Sequence, residues 1–222
     1  MEDIYIIGAS GHGREVLWLI RQINEVEKRF DVRGFVDDNE ALHGREICGI
    51  PVLGPLSVLK DVGPASVAMG IGLPRIKKIV LEKLRDLPLQ WPALIAPSAQ
   101  LSDYVTIGQG VTICANTTVT TQVELGDFAL VNIGATVSHD VSVGKGVMIS
   151  PGVHLTGNVT VGDWVNMGAG VDIIPGVTVG DEAIIGAGAV VIRDVPPGAT
   201  VVGNPGRVIK EKKGKDKADE VR

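Results

Sequence analysis

Residues 131–149 read VNIGATVSHDVSVGKGVMI, with an aliphatic residue at every sixth position: Val131, Val137, Val143 and Ile149. The series extends unbroken in both directions. Upstream lie Ile95, Leu101, Ile107, Ile113, Val119 and Leu125, and downstream Leu155, Val161, Met167, Ile173, Val179, Ile185 and Val191. Four residues after each sits a small residue, and from Val105 onward it is always Val, Ala or Thr, ending at Val195. A period of six is neither the helical 3.6 nor the simple alternation of a long strand, and it matches the hexapeptide of a parallel β-helix. Gly follows the aliphatic residue at Gly108, Gly126, Gly144, Gly162 and Gly180, all eighteen apart, so three hexapeptides form one coil.

In such a triangular prism the aliphatic residue and its small partner point inward and stack on their counterparts in the next coil, about 4.8 Å away. Ladders of this kind leave little room for rings. Aromatic residues accordingly make up 4% of the chain.

The chain has 222 residues, 45% of them apolar, which suffices for one large domain or two small ones. A net charge of -5 argues against a general nucleic-acid or acidic-membrane binder. No apolar run approaches the roughly 20 residues that cross a bilayer, and Met1-Glu2-Asp3 lacks a basic leader, so no membrane insertion and a cytoplasmic location are expected. Cys48 and Cys114 lack metal-type spacing and read as reduced thiols, and no histidine cluster predicts a metal.

Ahead of the repeats, Ile4-Tyr5-Ile6-Ile7 reads as a buried strand running into Gly8-Ala9-Ser10-Gly11-His12-Gly13 and then a helix from about Arg14 to Lys28. A glycine loop opening a helix presents free N–H groups to an anion. The spacing Gly-x-x-Gly-x-Gly is not the dinucleotide fingerprint. A second strand, Arg33 to Asp37, ends in Asp37-Asp38, where an acidic residue meets a ribose in a nucleotide fold; a plain turn is the competing reading. A short helix is expected over Leu53–Lys60, a strand over Ser66–Ile71 and a helix over Arg75–Leu87. The front domain, residues 1–92, thus holds three or four strands, half of a dinucleotide fold. That disfavours NAD and suggests a nucleotide-linked sugar. The prism is expected over 93–198, closed by Pro196-Pro197-Gly198; within 199–222, Val201 to Arg207 reads as a turn leading out and Lys210 to Arg222 as a charged tail, a frayed helix or disordered.

Within the repeats, His139-Asp140 falls at a turn between the inward Val137 and Val141 and therefore faces outward. Eighteen residues on lies Gly157, on the same edge one coil along. A histidine base beside an accessible backbone N–H is the minimal apparatus for acyl transfer, with the amide stabilising the oxyanion and Asp140 holding the imidazole. His154, with Thr136 and Asp172 one coil to either side, reads as a surface residue, and His43 as a loop residue.

With these residues in view, the sequence resembles the bacterial sugar acetyltransferases of the left-handed β-helix superfamily, including the sialic-acid and N,N′-diacetylbacillosamine pathway enzymes. The resemblance rests on the opening Ile-Gly-Ala-Ser-Gly-His-Gly, on Phe35-Val36-Asp37-Asp38, on the hexapeptides, on Val137-Ser138-His139-Asp140 and on Gly203-Asn204-Pro205-Gly206-Arg207. It implies a small Rossmann-like domain before a left-handed parallel β-helix, a homotrimer, and acetyl-CoA held between neighbouring prisms. It implies further that His139 is the general base assisted by Asp140, and that Gly157 binds the thioester carbonyl. Ser10, Gly11, His12, Asp37 and Asp38 match positions that hold the nucleotide-sugar, and Ala169, Ala187 and Arg207 match positions near the coenzyme. Met148 stands where members often carry a second histidine near the coenzyme, and Gly206 where the usual motif has Ala. The expected activity is direct acetyl transfer to the amino group of a nucleotide-linked amino-sugar in polysaccharide biosynthesis. O-acetylation of a sugar such as sialic acid, and a non-catalytic binding scaffold, remain the alternatives.

Overall fold

The structure, a computed structural model, describes residues 1–211. Its front part is a six-stranded sheet with two helices: β1 (Glu2–Ile7), α1 (Gly11–Val26), β2 (Phe30–Val36), β3 (Glu46–Ile47), β4 (Ile50–Gly54), β5 (Ala65–Met69), α2 (Pro74–Leu84) and β6 (Leu89–Gln90). The strand order is β3-β4-β2-β1-β5-β6, parallel except for the β3–β4 hairpin. That hairpin turns on Cys48 and Gly49, both at positive φ (51° and 79°), as a type I′ turn requires. The sequence reading missed it because cysteine is not a residue that signals such a turn. The expected helix over Leu53–Lys60 is correspondingly corrected: Leu53 belongs to β4, and a 3-10 helix spans only Leu56–Lys60.

From Leu94 on, two- and three-residue strands stack into three parallel sheets, the faces of a prism. Face one carries Thr112–Ile113, Leu130–Val131, Met148–Ile149, Asn166–Met167 and Ile184–Ile185. Face two carries Thr118–Val119, Thr136–Val137, His154–Leu155 and Asp172–Ile173, and face three Val123–Leu125, Ser142–Val143, Thr160–Val161 and Thr178–Val179. Up to the last coil the pairings have a register of eighteen residues, such as Val131 on Ile149 and Val137 on Leu155. The second residue of each pair and its small partner form one continuous buried core from Val111 to Val201. The first residue of each pair faces out.

The corners obey the same period. A left-handed residue recurs every six positions from Gly110 through Asn116, Gln122, Phe128, Gly134, Asp140, Gly146, Gly152, Asn158, Trp164, Gly170, Gly176 and Glu182 to Gly188. Asp127, Asp163 and Asp181 lock successive coils along one edge by accepting from backbone N–H groups one coil away, at 2.8–3.0 Å.

The last coil departs from the expected period. Val195 stands over Val179 and Val201 over Ile185, a register of sixteen, because the corner after Val191 is two residues shorter and Asp194 accepts from the Thr178 N–H there. The ladder therefore continues beyond the expected stop at Pro196-Pro197-Gly198. Arg207–Lys210 then pairs antiparallel with Thr200–Val202, so Lys210 ends a strand and does not begin a tail. The tail expected over the remaining residues lies, for 212–222, outside the described residues.

The front domain docks on face one and on the corner between faces three and one. Lys77 of α2, 2% exposed, donates from Nζ to the Phe128 carbonyl at 2.7 Å and reaches the Gly146 carbonyl at 3.5 Å. Burial lowers its pKa to about 7. The unfolded chain then binds more protons than the folded one above about pH 7, so Lys77 makes stability rise with pH in that range. Buried Cys114, pushed up to about 12, opposes this only above the usual thiol range. Comparing Lys77→Met with the parent by denaturant titration between pH 7 and 9 should show the parent gaining stability more steeply, by at most about 1.4 kcal/mol per pH unit.

Candidate functional site

A cavity of about 590 Å³ opens where the front domain meets face one. Its walls combine Ser10, His12 and Glu15 from the start of α1, Asp37 and Asp38 from the end of β2, Lys83 of α2, and Leu130, Asn132 and Met148 of the prism. The glycine loop is built from close backbones: a Cβ on Gly70 would stand 2.7 Å from the Ile7 carbonyl oxygen and 2.8 Å from the Gly13 Cα. The α1 helix begins at Gly11, three residues before the expected start, with Ser10 as its N-cap. Ser10 makes no side-chain capping bond, so the first N–H groups of the helix remain open to an anion beside the cavity.

The two aspartates are already engaged. Asp37 accepts from the Ala9 N–H (2.8 Å) and the Asn39 N–H (2.9 Å), tying the glycine loop to the end of β2. His43 donates from Nε2 to the Asp37 carbonyl at 2.7 Å. Asp38 accepts from the Leu56 N–H and from Lys83 Nζ, which together hold its carboxyl below the usual range. The pair thus makes the local bonds of a turn and also lines the cavity.

His12 donates from Nδ1 to Glu15 at 3.0 Å, and burial lowers its pKa against the opposing pull of that carboxylate. Glu15, Asn132 and Lys83 were not singled out from the sequence. The i,i+3 relation of His12 and Glu15 on a helix, and the eighteen-residue step from Leu130 to Met148, were the signals available for this wall.

His139 sits at the corner between faces two and three, with Nδ1 donating to Asp140 at 2.7 Å. Because a carboxylate only accepts, this bond leaves the lone pair on Nε2. The ring lies over Gly157, where a Cβ would come within 2.5 Å of Nε2. The Gly157 N–H has no acceptor in the protein among the described residues. His154 takes a separate place on face two, hydrogen-bonded to Thr136 (2.8 Å) and flanked by Asp172. Ala169 and Ala187 form an exposed rib on the corner between faces one and two, and a Cβ on Gly168 would press on Ala187. Arg207 stands at the far end of the prism, beside a small cavity it shares with Arg193 and Asp194.

Residues 3–84 match the PglD N-terminal domain. A point mutant of perosamine N-acetyltransferase from Caulobacter crescentus, in complex with CoA and GDP-perosamine, superposes with a TM-score of 0.87 at 32% identity, covering 95% of this chain and 98% of that one. The chain belongs to the hexapeptide-repeat sugar N-acetyltransferases. Within that family, the acetyltransferase domain of PglB from Neisseria gonorrhoeae with acetyl coenzyme A matches at 0.85 and 33% identity (94% and 99% covered). WeeI from Acinetobacter baumannii matches at 0.84 and 33% (94% and 100%). A sequence comparison with curated proteins finds no match. The fold class expected from the sequence and its family resemblance, an α/β front domain and a left-handed parallel β-helix, is that of these sugar N-acetyltransferases. Among the described residues no helix is long and apolar enough to cross a membrane, and no cluster of His, Cys, Asp and Glu is disposed to hold a metal.

The contrast between the aspartates has a measurable consequence. Asp37→Ala strands the Ala9 N–H, so it should lower stability by about 1–3 kcal/mol in denaturant titration. The Asp38–Lys83 pair is half-exposed, its side chains 49% and 54% accessible, so by contrast its loss should change stability by less than about 1 kcal/mol.

Proposed function

We propose that this N-acetyltransferase moves the acetyl group of acetyl-CoA to the amino group of a nucleotide-linked amino-sugar in one direct step, with His139 as general base. The observation that carries the reading is the His139–Asp140 pair packed on Gly157, with its basic Nε2 beside an unused N–H. The amine attacks the thioester carbonyl and forms the C–N bond while the C–S bond breaks. Nε2 takes the proton released by nitrogen and returns it to the departing thiolate. Asp140 keeps the ring in the tautomer that this requires. The Gly157 N–H supports the oxyanion. The nucleotide lies in the front cavity, its phosphates toward the start of α1 between Ser10, Gly11 and His12, its ribose and base toward Asp37 and Asp38. The coenzyme runs along Ala169 and Ala187 toward Met148 and Arg207. Relatives solved with CoA and GDP-perosamine support both ligand classes.

The site is shared between copies of the chain. The front cavity lies on face one, whereas His139 projects from the corner joining the other two faces, across the prism from it. One chain therefore cannot bring its own His139 to its own cavity. A homotrimer in which each cavity meets a neighbour's His139 resolves this, and the reaction belongs to cytoplasmic polysaccharide precursor synthesis.

His139→Ala should cut thiol release from acetyl-CoA by about 10²–10⁴-fold while the oligomer persists. Near-parental turnover would refute the role. Co-refolding His139→Ala with Gly72→Phe, which fills the cavity, should restore about a quarter of parental activity, as random mixing in a symmetric assembly requires. No recovery would place the whole site in one chain.

A further inference from the structure

Glycine and asparagine suit the left-handed corners of the prism. Most other residues found there have a local contact. Phe128 meets the Trp91 ring edge-on at 5.0 Å, Asp140 bonds His139, the Trp164 ring carries the Lys78 ammonium at 5.5 Å, and Glu182 pairs with Lys78 at 2.9 Å. Gln122, at φ 57°, is the exception. It is exposed, and among the described residues its carboxamide bonds to no protein group. An unfavourable backbone beneath an unused polar side chain is a mark of ligand sites.

Its level along the prism gives that side chain a place. Gln122 lies eighteen residues before Asp140, on the same edge one coil down, as Asn158 lies one coil up. Three coils of this edge thus present Thr121-Gln122, His139-Asp140 and Gly157-Asn158 in succession. A coil of eighteen residues rises about 4.8 Å, so His139 and Met148, nine residues apart, differ in level by about 2.4 Å, and Gln122 and Leu130, eight apart, by about 2.1 Å. Leu130 and Met148 line the front cavity, and both have atoms within 3.6 Å of a Cβ placed on Gly72. An assembly closed about an axis parallel to the prisms preserves these levels. A neighbour's His139 that faces Met148 therefore brings its own Gln122 opposite Leu130, within the span of the same cavity. Gly157 and Asn158 come opposite Asn166, which lies outside that cavity.

We propose that Gln122 binds the acceptor sugar held in the neighbouring subunit's cavity, its carboxamide bonding the hydroxyl on the ring carbon next to the amine and so aiming that amine at Nε2 of His139 on its own edge. The inference rests on the reading of a shared site with a sugar amine as acceptor. A hydroxyl both donates and accepts, and a primary carboxamide offers one group of each kind. Being neutral, it leaves the proton balance unchanged: nitrogen forms the C–N bond, the thiolate departs, and the proton passes through His139. A carboxylate at this corner would instead hold the amine as its unreactive ammonium. Glutamine, one methylene longer than Asn158, reaches further from the edge. Gln122 is thus a specificity-determining residue, reading the acceptor ring beside the reacting nitrogen.

Glycine is the fitting replacement, because it fills a left-handed corner without strain. Gln122→Gly should keep the oligomer and hold or raise the parent's Tm. It should nevertheless lower kcat/KM by about tenfold, read by thiol release with GDP-perosamine or a UDP-linked amino-sugar, whichever the parent turns over faster. An acceptor analogue deoxygenated next to the amine should cost the parent about tenfold and the variant less than about twofold. Mixed assemblies read which chain supplies the side chain. When His139→Ala and Gly72→Phe chains are co-refolded, the working site joins the cavity of the first to the edge of the second. Adding Gln122→Gly to the Gly72→Phe chain should therefore cost about tenfold, and adding it to the His139→Ala chain should cost nothing. An unchanged kcat/KM, a variant that still discriminates the deoxygenated acceptor, a loss that follows the His139→Ala chain, or a Tm that falls with activity would overturn the proposal while leaving acetyl transfer to the amine intact. No activity in any mixture would refute the shared site, and failure of the parent to acetylate either amine would refute the proposed function; this inference falls with either.

Discussion

The structure depends on one constraint, the eighteen-residue register between coils. Each backbone group in a prism strand pairs with its equivalent one coil away, so every coil copies the position of the last. Parallel ladders of this kind satisfy the interior backbone polar groups, and the aliphatic stacks inside keep water from the inner side of each hydrogen bond. A residue can then leave its slot only by disturbing two neighbours. This places the His139 ring on Gly157 as firmly as any tertiary contact would. A side chain at 157 would meet the ring, and its absence brings the backbone N–H within reach of whatever Nε2 touches.

The front domain is held by a different physics. It meets the prism through α2, with a buried ammonium on two corner carbonyls, and through the apolar packing of α1 around Leu94, Ala96 and Ala115. A buried lysine without a carboxylate partner is costly, and it is tolerated because the carbonyls would otherwise be buried unpaired. The arrangement fixes the angle at which the cavity faces the prism. It also sets that cavity across the prism from the chain's own His139.

The repeats were legible because their period is set by backbone geometry, which admits few residue types at each slot. The His139–Gly157 pairing needed only addition. What the sequence concealed depended on contacts between distant elements. The Cys48-Gly49 turn carries no recognised signal, and the shortened corner after Val191 hides behind a Val195 that fits the period while occupying another slot. Lys77 looked like any cation on an amphipathic helix. Glu15 and Asn132 became visible only once the front sheet was set against face one. Asp37, singled out for a ligand, lines the cavity, and its carboxylate braces the glycine loop, a contact between elements 28 residues apart that no local pattern announces.

Asp140 shows how scaffold and site compete for one residue. Its corner position requires a left-handed backbone, which glycine fills at seven of the equivalent corners, Gly110, Gly134, Gly146, Gly152, Gly170, Gly176 and Gly188. A residue with a Cβ costs about 1–2 kcal/mol there, least for Asn and Asp, whose short polar side chains bond locally. At Asn158, on the same edge, that cost obtains no side-chain hydrogen bond among the described residues. At Asp140 it obtains a carboxylate 2.7 Å from Nδ1 of the preceding histidine. The left-handed turn directs adjacent side chains to one side of the corner, so a strained backbone is what lets two successive residues form the pair. The imidazole is thereby oriented by a neighbour in sequence and seated on a neighbour in space, and both constraints derive from the coil.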